Sequence, residues 1–281
     1  MYMTVKNLCI LIRHDIISGV RNKWKAYLGA LILFSFLLFS GMKNISLYYQ
    51  NNGMEGTFGL AEILIYIFLG NEPFNPSSFS GIDLSMEWFS FFAYLAFITG
   101  FYPNDELQKS ADSFLVRVQS RRLWWSSKFI WCFFAVCVYF FLFIVVAVIF
   151  VSCFGDITSW GNRMLMKSYF NVDIGSLDFT DFALISFLLP MIIAIAIAQL
   201  QMVLSFILKP IFSFLIIICY EVAAACYTCP FLLYNYTMVG RNSALIPSST
   251  ITTWSGLLLA IGVLIATYIA GALLIRKKDI I

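Results

Sequence analysis

A single carboxyl group stands in the oiliest part of this chain. Glu221 follows the run PIFSFLIIICY and precedes VAAAC, so it falls near the middle of a long apolar segment. Burying a charge at that depth is expensive, and the side chain is expected to face protein or a water-filled cavity. The tight turn at Lys209-Pro210 brings position 198 level with position 221, which puts Gln199 and Gln201 near Glu221 in height. If the three share a face, they can hydrogen-bond. Two roles stay open for Glu221 and Gln199: a polar spot in a translocation path or dimer seam, or a glutamic acid tying two helices together.

Other reactive types are sparse. His14 is the sole histidine, which argues against a histidine-based metal site or acid–base pair within the chain. Cys226 and Cys229 form one C-x-x-C with no second pair, a pattern that packing by small soft side chains explains as well as metal or redox chemistry. No metal site is expected. The interior of the apolar runs offers one Glu, no His and no paired Asp, too little for a membrane-embedded enzyme. No phosphate loop of the form G-x-x-x-x-G-K-[ST] is present.

The elements that must position these residues are helices in a bilayer. Of 281 residues, 61% are hydrophobic and 12% charged, with a mean hydropathy of +0.86. A soluble domain carries about 25% charged residues. Apolar runs long enough to cross about 30 Å of hydrocarbon recur, and none reads as a short alternating strand. The expected fold is an all-α integral membrane protein forming one transmembrane domain over residues 1–281. Six spans are read at 26–42, 85–102, 129–153, 182–208, 211–233 and 254–275, with a kink expected at Pro190.

Basic residues set the orientation. With the N-terminus in the cytoplasm, fourteen of eighteen Lys and Arg lie on that side; Lys43, Arg163, Lys167 and Arg241 do not. That bias favours an even number of spans with both termini cytoplasmic in a cell membrane. The fourteen residues TFGLAEILIYIFLG (57–70) are too short to cross comfortably, and read as an outer interfacial or re-entrant helix, or one packed over the span ends. Gly262, Ala266 and Ala270 make a small-residue seam, read as packing within the chain ahead of a dimer contact.

Residues 1–25 read as an amphipathic helix in the membrane interface. Val5, Leu8, Cys9, Ile12, Ile16 and Val20 fall on one face, and Lys6, Arg13, His14, Ser18 and Arg21 lie largely opposite. Anionic lipid headgroups suit the basic face. The only sizeable cytoplasmic loop spans 103–128 and ends in SFLVRVQSRRLWWSSKF. A short helix from about Glu106 to Val118 is expected there. Arg122, Trp124, Trp125 and Lys128 are expected to anchor its far end at the membrane boundary, with the indoles at headgroup depth.

This order of parts resembles the permease subunit of the type-2 family of ATP-binding-cassette (ABC) exporters. The family's coupling loop resembles Glu106, Ser110-Ala111, Phe114-Leu115, Ser120-Arg121 and Lys128 here, and the tail IRKKDII is similar to the family's C-terminus. The small pair is Ser-Ala where Gly-Thr is more usual, and no Pro precedes the Ser-Arg pair. The resemblance implies six spans, an N-terminal elbow helix and a coupling helix that docks on a separate ABC ATPase. Glu106, Ser110, Phe114, Arg117 and Arg121 are the implied coupling residues. It also implies a second permease copy or a related permease, with ATP and Mg bound by the ATPase rather than by this chain. The cargo is expected to be amphipathic: a peptide, a lipid-like molecule or a drug. Membrane lipid is an expected partner and nucleic acid is not. A secondary carrier or ion channel of six spans is the alternative, though no repeated halves are visible and Pro190 is the single break.

Overall fold

The longest helices are apolar on every face, and their two faces meet different surroundings. In α2 (Trp24–Asn51), Tyr27, Ala30, Phe34, Leu38, Gly41 and Ile45 turn inward at helical spacing. Leu28, Ile32, Phe36 and Phe39 are exposed on the opposite face. A helix that keeps large hydrophobic side chains on its outer face needs lipid to cover it. The computed structural model describes residues 2–21, 23–53, 57–72, 84–101, 121–156, 162–172, 174, 178–246 and 249–277. Among these residues there is no β-strand, only an isolated bridge between Asn242 and Ile251. The chain is an all-α membrane protein.

In chain order the helices are α1 (Tyr2–Ile16), α2, α3 (Leu60–Phe68), α4 (Met86–Phe101), α5 (Arg121–Phe154) and α6 (Arg163–Ser168). They continue as α7 (Phe179–Ala183), α8 (Leu189–Ile207), α9 (Pro210–Cys226) and α10 (Thr253–Lys277). Four continuous helices are long and apolar enough to cross a membrane: α2, α5, the α7–α8 unit and α10. α4 and α9 are apolar but shorter. The Asn71–Gly81 segment, the coupling-helix region and the tail beyond Lys277 lie largely outside the described residues.

Several boundaries differ from the sequence expectation. α5 already includes Arg121, where the expected span starts at Phe129, and its described part is 34 residues long, about 51 Å at 1.5 Å per residue. It therefore outreaches the hydrocarbon layer, and Trp124, Trp125 and Lys128 belong to a helix instead of a loop. α9 ends at Cys226, not Leu233, with Tyr227 extended and Cys229-Pro230 just beyond. Pro190 does not break its helix. A π-helical turn, Leu184–Leu188, lies just ahead of it, and the helix runs on through the proline to Ile207.

α3 packs as the last of the expected alternatives has it. Its residues Ala61 to Ile65, Ile67 and Phe68 are buried against the rest of the chain. Glu62 at its third position accepts a hydrogen bond from the Gly59 backbone N–H, and its other oxygen accepts from Asn162 N at 2.6 Å. The paired backbone donors are what permit an acid inside this apolar helix. Phe68 then packs among Phe91, Phe140 and Phe143, with ring centroids 5.1–6.2 Å apart. Phe34 and Tyr139 extend the same cluster, their centroids 4.8 Å apart. The phenylalanines of this region fill the core instead of lining an open path.

The small-residue seam also lies elsewhere than expected. Gly262 and Ala266 are exposed, and a Cβ added at Gly262 would meet nothing. α10 packs inward through Ala260, Thr267 and Gly271. A Cβ at Gly271 would overlap the Trp125 indole, so only glycine lets that ring sit against the helix backbone.

Candidate functional site

The chain gathers its polar features at two ends of the bundle and at one point between them. At one end, α1 packs along the first turns of α5. Asp15, 1% exposed, receives the Lys128 ammonium at 2.5 Å on one carboxylate oxygen and the Ser127 hydroxyl at 2.5 Å on the other. Lys128 is equally buried and lies 5.3 Å over the Trp124 ring. His14 Nδ1 sits 3.6 Å from the same Asp15 oxygen and is partly exposed. Such a pair adds little net stability over apolar packing, but removing one partner strands the other charge at a cost of about 3–5 kcal/mol. It therefore fixes one register of α1 on α5. A Cβ at Gly19, in the π-turn that follows α1, would run into the Trp131 indole, so this seam is close-packed along its length.

These contacts turn most of the expected anchor residues inward. Trp124 and Trp125 are 4% and 0% exposed, packed against Phe206, and the Trp125 indole N–H donates to Tyr268 O at 3.0 Å. Lys128 is spent on Asp15. The rings and the ammonium turn inward because an acid and a carbonyl await them there. Of the expected anchors, Arg122 remains exposed. Arg121 reaches the last carbonyls of α10, Ile275 O at 3.4 Å and Arg276 O at 3.2 Å, the favourable place for a cation. Glu106, Ser110, Phe114 and Arg117 lie outside the described residues. At this end Tyr94 on α4 also donates to Ala26 O at the start of α2, at 2.9 Å.

α1 itself is rotated from the expected face. Leu11 and Asp15 go deepest, Leu8, Ile12 and Ile16 are half-buried, and Cys9 is exposed. Asp15 was missed because it sits among bases on an apolar helix. Its signal was its solitude, since no other acid occurs before Glu55.

Between the ends sits Glu221. It is 0% exposed, and neither carboxyl oxygen has a hydrogen-bond partner among the described residues. The expected glutamine contacts are not made. Gln199 donates to Phe129 O on α5 at 2.7 Å, and Gln201 donates to Ala96 O on α4 at 3.0 Å. Two residues apart on one helix, they point to different neighbours. Each keeps a buried, unpartnered side-chain oxygen. A cavity of about 10 Å³ lies beside Gln201, Thr99 and Tyr234, room for one water at most.

At the far end, Arg241 holds the chain together without an acid. Its guanidinium is 3% exposed and donates to Asn71 O (2.8 Å), Ala224 O (2.5 Å), Ala225 O (2.6 Å), Tyr227 O (3.3 Å) and Asn235 Oδ1. It thereby caps the end of α9 and explains why that helix stops at Cys226. Burial lowers its pKa from the usual 12.5 to about 10, which leaves it cationic at neutral pH. Arg241 is the sole base between Lys209 and Arg276, a signal the sequence reading used only for orientation. Cys226 and Cys229 are both free thiols.

A family model described as "Protein of unknown function (DUF2705)" matches residues 72–281, about three quarters of the chain. The chain belongs to the DUF2705 family. The DUF2705 match takes in Lys128, Glu221 and Arg241 and leaves α1 to α3, with Asp15, outside it. No curated protein and no solved structure matches the chain.

Proposed function

We propose that this DUF2705 chain is the membrane-spanning subunit of an ATP-driven ABC exporter of the type-2 kind. It would cross the cell membrane six times with both termini cytoplasmic and move an amphipathic substrate: a peptide, a lipid-like molecule or a drug. A separate ABC ATPase would bind ATP and Mg and press on the 103–128 loop, and a second permease, identical or related, would complete the path. The observation that carries this reading is the buried Asp15–Lys128 pair. It joins α1 rigidly to the helix that leaves the loop, so a push on the loop would move the elbow and α5 together instead of dissipating between them.

The test is co-purification of the chain with its ATPase, followed by ATP turnover with and without an amphipathic peptide. Reversing charge at Glu106 or Arg117 should preserve turnover while transport falls at least tenfold. Mutant complexes that pump as well as the parent overturn the coupling assignment.

One observation favours a second reading, a secondary carrier or channel. Glu221 offers an unpartnered buried carboxyl of the type that binds a cation or proton in such proteins. Transport by purified chain without ATPase, lost in Glu221→Gln, would select it.

A further inference from the structure

The end of the π-turn that follows α1 and the first turns of α2 leave an open groove against α5. Its volume is about 830 Å³, within the range of small-molecule sites. Arg21 and Trp24 stand at one end, and Tyr27, Leu31, Val138 and Leu142 form the walls. The groove opens on the outer side of α2: Leu28 lines it too, and Leu28, Ile32 and Phe36 continue as an exposed apolar stripe.

Three features name the occupant. Arg21 is exposed and makes no ion pair among the described residues, and Lys25 is exposed four residues on. The sole acid in this part of the chain, Asp15, is already committed to Lys128. Among the described residues Arg21 therefore keeps an unpaired positive charge at the groove mouth, which attracts a phosphate. Trp24 is 55% exposed beside it, and indoles favour the junction where headgroup and acyl regions meet. Tyr27 lies along the wall, and its buried hydroxyl has no hydrogen-bond partner. A cation at one end of an apolar trough matches a molecule that is anionic at one end and apolar along its length.

We infer that this groove seats one anionic phospholipid, its phosphate on Arg21 and an acyl chain along Leu31, Val138 and Leu142. The bound lipid would wedge the elbow against α2 and α5 and complete a surface that the polypeptide leaves open. This holds whether the chain works with an ATPase or as a carrier.

The experiment is native mass spectrometry of the full chain released from vesicles of equal phosphatidylglycerol and phosphatidylcholine. One phosphatidylglycerol should remain bound at about tenfold higher occupancy than phosphatidylcholine. Arg21→Gln should remove that preference. Leu31→Trp and Val138→Trp fill the groove from opposite walls, so that a folding defect in one does not decide the result, and each should abolish retention. Equal retention of the two lipids by the parent, or unchanged retention in Arg21→Gln and in both filled variants, overturns the proposal. So does displacement of the lipid by millimolar inorganic phosphate, which would mark a phosphate site without an acyl groove, or a second copy of the chain bound in its place.

Discussion

Asp15 and Glu221 are both carboxyl groups with no more than 1% of their surface exposed, yet they are handled in opposite ways. Asp15 has an ammonium on one oxygen and a hydroxyl on the other. Glu221 has neither a cation nor a donor among the described residues. A satisfied buried charge holds two helices in one register, while an unsatisfied buried polar group raises the energy of the fold that contains it. The contrast assigns Asp15 to architecture and leaves Glu221 for whatever enters or moves within the bundle.

Four substitutions probe that contrast, ranked by expected loss of stability in detergent. Asp15→Ala strands Lys128 and should cost about 3–5 kcal/mol, with Asp15→Leu/Lys128→Met recovering most of it. If the double variant is as unstable as the single one, the pair is not what fixes α1 on α5. Arg241→Met removes the donors from the end of α9 and should cost about 3 kcal/mol, with Arg241→Lys keeping part of it. A loss below that of Asp15→Ala would sharpen the comparison by separating a cation held by carbonyls from one held by an acid. Gly271→Ala places a methyl group on the Trp125 indole and should cost about 1–3 kcal/mol, an uncharged reference for overpacking at the same end. Glu221→Gln should leave the melting temperature nearly unchanged, because no bond is lost, while altering transport. A destabilisation by Glu221→Leu as large as that of Asp15→Ala would show that Glu221 has a partner after all, and the contrast would fail.

Position along the chain proved easier to read than facing. The sequence places Glu221 in an apolar segment and Gln199 nearby in height, but helix rotation sends the two glutamines to Phe129 O and Ala96 O. Trp124, Trp125 and Lys128 read as boundary residues because their types favour the interface. Their inward turn depends on Asp15, over a hundred residues away, and on the Tyr268 carbonyl. Arg241 read as one of four cations on the outer side, and its role at the end of α9 could be seen only once 227–241 was folded back over that end.

Composition and run length by themselves determined the all-helical membrane character, because a bilayer demands about twenty apolar residues per crossing and internal pairing of every backbone group. Tertiary structure decided which charges are paired, how far α5 and α9 extend, and that α3 is swallowed by the core. Those outcomes rest on contacts between residues far apart in the chain, and hydropathy carries no record of which face of one helix meets which face of another.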